Sequence, residues 1–222
     1  MSQGWYPGMN TPDLYSKIMR PSLQRAFRDA ANVMNEAQGY GRSKYPYIPL
    51  SLDQFENMMR PLVKPNMRVI DVGCGAGDKL YSWHMLEPTL YITGIELDEL
   101  MVRIANYTCP FAEVICGDAF KHDYSKYDLI YMYRPIPDER LQAKLQKFVM
   151  NSMRIGARLI VIYQAIHTGS SYRPYRFFPD LGSSPNYSDT TLRGWVKEKS
   201  YAEHAAEWHE KSLGSAKHSA VA

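Results

Sequence analysis

Long apolar runs, paired cysteines and a strong charge of either sign are all missing from this sequence, and each absence removes a class of protein. No run of about 18 apolar residues occurs, so no membrane-crossing helix is expected. The three cysteines, Cys74, Cys109 and Cys116, cannot all pair with one another and show no CxxC spacing. That speaks against a disulfide framework and against a cysteine-based zinc site. Residues 1–7 lack the basic start and apolar stretch of a secretory leader, and a cytoplasmic protein is the default expectation. The formal charge is only +3, too small to mark a nucleic-acid partner by itself, though it excludes none. No Ser-His-Asp order and no metal-ligand spacing stands out, so no metal is expected. The six histidines, with His204, His209 and His218 in the tail, read as solvated.

What is present fits one α/β domain with additions: 222 residues, 45% hydrophobic and 22% charged. The expected division is an N-terminal helical or lid segment over 1–65, a ligand-binding domain over 66–200 and a tail over 201–222. In the first segment, Leu23, Phe27, Ala30, Ala31 and Met34 give a helical stripe between Pro21 and Gln38, stopped at Gly39-Tyr40-Gly41. A second helix opens at Ser51, where Ser51 and Gln54 form a capping-box pattern. Tyr40, Tyr45 and Tyr47 around Pro46 read either as a lid or as a packed connection.

Strands are expected at Met67–Val72, Leu90–Ile95, Glu113–Cys116, Tyr127–Tyr133 and Ala157–Tyr163. Helices are expected near Lys79–Met85, Asp98–Tyr107 and Asp138–Met153, with a loop or short helix after the third strand. In the last helix Asp138 caps the start, and Leu141, Leu145, Phe148, Ser152 and Met153 share a face. This alternation predicts a mostly parallel, Rossmann-like sheet with helices on both faces. Beyond Gln164 the pattern weakens. Thr168–Pro185 is polar and Pro-containing, Leu192–Lys199 suits a final strand, and the tail from Ala202 suits a fraying helix.

The chemistry concentrates where strands end. Val69-Ile70-Asp71-Val72-Gly73-Cys74-Gly75-Ala76-Gly77 runs an apolar strand into an acid and three alternate glycines. Glycine lets the backbone turn sharply and lets a ligand approach closely. A dinucleotide site wants G-x-G-x-x-G, but Asp78 stands where the third glycine belongs, and a carboxylate there opposes a pyrophosphate. Asp71 and Asp78 suit a cationic ligand better. The stretch Asp71–Gly77 resembles the first motif of class I methyltransferases, which implies S-adenosylmethionine as cofactor, with the carboxylate of Asp71 orienting its ammonium.

Two later segments follow in the order that resemblance requires. Gly94-Ile95-Glu96-Leu97-Asp98 ends the second strand in an acid at the position that reaches ribose hydroxyls in Rossmann-like sheets, while Asp98 reads as the cap of the next helix. Cys116-Gly117-Asp118-Ala119-Phe120 is similar to the family's G-D-A segment, whose acid accepts from the adenine amino group; Phe120 either covers the ring or joins the core. The resemblance thus implies a cofactor-binding set of Asp71, Gly73, Cys74, Gly75, Gly77, Glu96, Leu97, Asp118 and Ala119. It spans about residues 67–163, and among relatives it points first to the non-SET, seven-strand histone-lysine methyltransferases and small microbial proteins.

The end of the fourth strand faces the transferable methyl group in that family. Amino-methylating DNA enzymes carry an acid, asparagine or serine before Pro-Pro-aromatic there, whereas this chain reads Tyr133-Arg134-Pro135-Ile136. A protein lysine or a small molecule is therefore favoured over a nucleic-acid base as the methyl acceptor, which the sequence leaves unidentified. Tyr133 lines the acceptor side, with Tyr131 deeper on the same face. Arg134 binds either an acceptor carboxylate or phosphate, or a structural acid. His122, Asp123 and Asp138 are the candidate bases, with helix capping the better reading of Asp138. The competing functions are a non-catalytic S-adenosylmethionine-binding protein and a nicotinamide-dependent oxidoreductase.

Overall fold

A computed structural model describes residues 20–37, 52–162, 175–177 and 192–200, with Ala202, Glu203 and Ala206 of the tail. In chain order the elements are α1 (Arg20–Ala37), α2 (Leu52–Met59), β1 (Arg68–Val72), α3 (Asp78–Leu86), β2 (Tyr91–Glu96), α4 (Glu99–Thr108) and β3 (Glu113–Cys116). A 3-10 turn at Ala119–Lys121 follows, then β4 (Leu129–Tyr133), α5 (Glu139–Ser152), β5 (Arg158–Ile162), β6 (Tyr175–Phe177) and β7 (Leu192–Lys197). The expected alternation and the short turn after β3 are both present. Ser51, the Gly39-Tyr40-Gly41 stop and the tyrosines of the candidate lid lie outside the described residues, as do the side chains of Ala30, Ala31 and Met34.

The strands form one sheet in the order β3-β2-β1-β4-β5-β7-β6. β1 pairs in parallel with β2 and β4, β2 with β3, and β4 with β5. β7 runs antiparallel between β5 and β6. The chain leaves β1 in one direction to β2 and β3, then returns to β4 on the other side. Ligands of open α/β sheets bind at such a reversal, outside the carboxyl ends of the strands.

Alternation along the strands divides the core in two. Val69, Leu129, Tyr131 and Ile160 face α2 and α3, meeting Phe55, Met59, Leu80 and Trp83. Ile70, Val72, Ile130, Met132 and Leu159 face α5, meeting Leu145, Val149 and Met150. On the first face the Tyr131 ring stands edge-on to Phe55 at 5.1 Å and to Trp83 at 6.2 Å, contacts worth about 0.5–1.5 kcal/mol each beyond the area they bury. The starts of α4 and α5 are capped by side chains. Asp98 accepts from the amides of Leu100 and Met101 at 2.9 and 3.3 Å, and Asp138 accepts from Leu141 at 2.8 Å.

Two expectations need correction. Leu141 is 45% exposed; of the expected face Leu145 and Met153 are buried, joined by Gln142, Gln146, Val149 and Met150. The buried face includes two glutamines that a search for hydrophobic residues passes over. The polar stretch Thr168–Pro185 contains a strand, β6, whose three residues are too short a signal to stand out. No helix among the described residues is long and apolar enough to cross a membrane.

β7 is tied to the end of α5 by Lys197, whose ammonium donates to the carbonyls of Asn151 and Met153, both at 2.7 Å. A cation there also complements the negative end of the helix. Burial holds the Lys197 pKa below its ordinary range. Lys197→Met strands two helix-terminal carbonyls and should lower unfolding stability by about 1–3 kcal/mol. Urea denaturation of the variant checks this, with an unchanged midpoint as the contrary result.

Candidate active site

β1 passes into α3 through a loop whose glycines all have positive φ: Gly73 at 79°, Gly75 at 54° and Gly77 at 92°. At Gly73 a Cβ would lie 2.5 Å from Cβ of Pro135, so the β1 loop and the segment after β4 touch without room for a side chain. At Gly77 a Cβ would meet Cys109 Sγ at 2.9 Å, which lets α3 start directly against α4. The amides of Gly73 and Cys74 donate to the Ile95 carbonyl at 2.8 and 3.2 Å. Cys74 turns its thiol into the core beside Gly94, where burial pushes its pKa well up. Its contribution to a ligand is therefore confined to its backbone.

Glu96 closes β2 as a clamp between two loops. Its Oε2 accepts from the Gly75 amide at 3.0 Å, and its Oε1 accepts from the amides of Leu97 at 2.7 Å and Asp98 at 2.9 Å. A carboxylate offers about four acceptor positions, so three are used by the backbone. Beside it, Leu97 stands 72% exposed. Asp118 is exposed and uses one oxygen to cap the 3-10 turn, accepting from Phe120 at 3.0 Å. The Ala119 carbonyl accepts from the Tyr124 hydroxyl at 2.9 Å. Phe120 is half-buried against the α5 side of the core and near the Phe148 ring.

Asp71 lies within β1, opposite Gly94 on one side and Tyr131 on the other. It is only 1% exposed, and its Oδ2 has no hydrogen-bond donor. Burial raises its pKa from the usual 3.8 to about 7, against the pull of Lys79 and with a further push from Asp78 and Glu96. Asp78 and Lys79 open α3, both buried, with Nζ 2.9 Å from Oδ1. The same ammonium lies 5.5 Å from the centre of the Tyr133 ring.

At the end of β4, Tyr131 is fully buried and Tyr133 half-buried on the same face, as alternation requires. Arg134 has φ of 38°, a sparsely populated conformation for a side-chain-bearing residue. Its guanidinium lies 3.5 Å from Glu139, which is exposed. Gln142 holds the following turn: its Oε1 accepts from the Ile136 amide at 3.2 Å and its Nε2 donates to Met132 Sδ at 3.1 Å.

α1 packs against the same end. Phe27 of α1 meets Ala76 of the glycine loop and Met101 of α4. Arg20 bridges Asp53 at 2.8 Å and the buried Glu56 at 3.1 Å, and the Ser82 hydroxyl donates to Glu56 at 3.4 Å. Lys79, Gln142 and Glu56 were missed by sequence reasoning. Lys79 alone carried a signal, since a cation in the first turn of a helix opposes the helix dipole. Asp71, Glu96, Tyr133 and the glycines gather at the strand-order reversal. Asp118 and Ala119 lie past the end of β3, two strands away.

Residues 53–168 match the family model of methionine biosynthesis protein MetW. The ribosomal protein L11 methyltransferase of Staphylococcus carnosus (strain TM300) is 32% identical over 103 residues, 44% of this chain and 31% of that protein. The match thus spans about a third of that relative. An RNA methyltransferase from Salinibacter ruber, solved with S-adenosyl-L-homocysteine, superposes with a TM-score of 0.52 at 18% identity, over 68% of this chain and 95% of the other. A TehB-like S-adenosylmethionine-dependent methyltransferase from Corynebacterium glutamicum gives 0.50 at 12% identity, over 81% and 100%. The fold is that of the class I methyltransferases.

The buried Asp71 predicts a pH dependence. Its folded pKa, about 7, lies above its ordinary 3.8, so the folded chain binds this proton more tightly than the unfolded one. The resulting stability is complete below about pH 4 and is lost as pH rises through 7. The span corresponds to about 4 kcal/mol at most. Stability of the ligand-free protein, measured by denaturant across pH 4–8, should decline more in the parent than in Asp71→Asn. Parallel curves would show that Asp71 ionises freely in the fold.

Proposed function

The chain belongs to the methionine biosynthesis protein MetW family, and from that membership and the acid-lined end of its sheet we propose that it transfers a methyl group from S-adenosylmethionine to a small molecule or a protein lysine. The observation that carries this reading is Asp71 Oδ2, buried at the strand-order reversal beside a glycine loop and lacking a donor. An ammonium supplies such a donor. A pyrophosphate would instead meet Asp71 and Asp78 as two buried acids. The residues present fit the cofactor.

When bound, the cofactor supplies a methyl group on a sulfonium, already activated toward a lone pair. Asp71 would hold its ammonium. Glu96, with one acceptor position left, would take a ribose hydroxyl, and the exposed Leu97 with Asp118 and Ala119 would border the purine. Gly73, Gly75, Gly77 and the Cys74 backbone would admit the chain between them. Tyr133 lines the acceptor side, where alignment and exclusion of water matter more than a strong acid or base. The ring wall of Phe55, Trp83 and Tyr131 keeps that side dry, and α1, lying on Ala76, serves the N-terminal segment's closing role.

Arg134 pairs with the exposed Glu139 at 3.5 Å. We assign it to an anionic part of the acceptor, which would draw it from a weak exposed pair. The acceptor class rests on Tyr133-Arg134-Pro135-Ile136, which lacks the acid- or amide-Pro-Pro-aromatic order of base methylation.

Calorimetry should detect binding of S-adenosylmethionine and S-adenosylhomocysteine and no binding of NAD. Tight NAD binding with no response to either of the others would overturn the assignment. Glu96→Ala should weaken cofactor binding by about 1–3 kcal/mol while its thermal transition remains cooperative. Unchanged affinity in the folded variant would place the ribose elsewhere.

A further inference from the structure

The proposed function leaves Lys79 without a role. Its ammonium is buried, 2.9 Å from Asp78 Oδ1, and rests 5.5 Å from the centre of the Tyr133 ring. Its charge also reaches Asp71. Helix physics does not ask for a cation here, since the first turn of α3 repels it. Burying an ammonium is costly unless a specific anion receives it. A buried acid, Asp78, and the face of Tyr133 receive that ammonium, with the buried Asp71 near enough to feel its charge, so the chain fills a cation site from its own sequence.

We propose that Lys79 is a specificity-determining residue: its ammonium occupies the cation site made by Asp78 and the Tyr133 ring, beside Asp71, and competes there with the positive charges of S-adenosylmethionine. The inference rests on the methyltransferase reading above. S-Adenosylmethionine brings an ammonium and a sulfonium, whereas S-adenosylhomocysteine brings only the ammonium. A resident cation therefore penalises the substrate form more than the product form and lowers the ratio of S-adenosylmethionine to S-adenosylhomocysteine affinity. The acids supply the attraction, and Lys79 limits how much of it the sulfonium can use.

The test is calorimetric titration of both ligands into the parent, Lys79→Met, Lys79→Arg and the double variant Asp78→Asn/Lys79→Met, with thermal unfolding to confirm folding. The ratio of S-adenosylmethionine to S-adenosylhomocysteine affinity should rise roughly 3- to 30-fold in Lys79→Met, the span of a cation–π or like-charge contact in a partly desolvated site. It should stay near the parent value in Lys79→Arg. The double variant removes Asp78 together with the lysine that pairs with it, and its ratio should move in the same direction by a smaller factor. If Lys79→Met does not fold, the double variant decides. An unchanged or lower ratio in the folded variants would show that Lys79 only neutralises Asp78 and would overturn the proposal. Binding of neither ligand to the parent would remove the methyltransferase reading, and this inference with it.

Discussion

The structure turns on the burial of Asp71 inside a parallel strand. β1 has neighbours on both sides, so its backbone groups are committed to two ladders and its side chains meet helices on both faces. A carboxylic acid in such a strand loses its water and is driven toward the protonated form, and the shift of Asp71 to about 7 expresses that. The strand reverses the order of the sheet at this place. The same arrangement that makes the acid costly also sets it beside the reversal, where open α/β sheets bind their ligands.

Around that acid, the loops are fixed by contacts that leave little slack. Gly73 and Pro135 touch at a separation that a methyl group would breach. Gln142 holds the turn after Pro135 by the Ile136 amide, and Arg134 keeps an unfavourable backbone angle between them. Strain of that kind persists only when its surroundings over-determine it, and it collects at functional sites. Glu96 performs the matching task on the other side, joining the β1 loop to the start of α4 through three amides. Glu96, a candidate ligand acceptor, is thus also a fastener of the loops around Asp71.

Much of this was legible in the sequence because the signals were local. The run Asp71–Gly77, the strand-end Glu96 and the caps Asp98 and Asp138 depend on neighbours within a few positions, and the structure places them as their spacing requires. Tyr131 and Tyr133 follow from alternation alone. What stayed hidden depends on distant partners. The direction of the Cys74 thiol is set by Gly94, twenty positions away. Glu56 reads as a surface acid until Arg20 and Ser82 are brought to it, and Lys79 reads as a solvated lysine until Tyr133 covers it. Leu141 misled because burial on α5 does not follow hydrophobicity alone: it takes in Gln142, which bonds to a loop amide and a methionine sulfur, and Gln146.

The central claim is that a buried, proton-holding acid receives a cationic ligand, and its most direct test counts protons. Calorimetric titration of S-adenosylmethionine near pH 6.5, repeated in buffers of different ionisation enthalpy, reports the protons released on binding. Asp71 holds its proton over much of the ligand-free population at that pH, and an ammonium beside it favours the ionised form. The account predicts release of a substantial fraction of a proton per site, absent in Asp71→Asn. Binding without any proton release in the parent, or with the same release in Asp71→Asn, would contradict it.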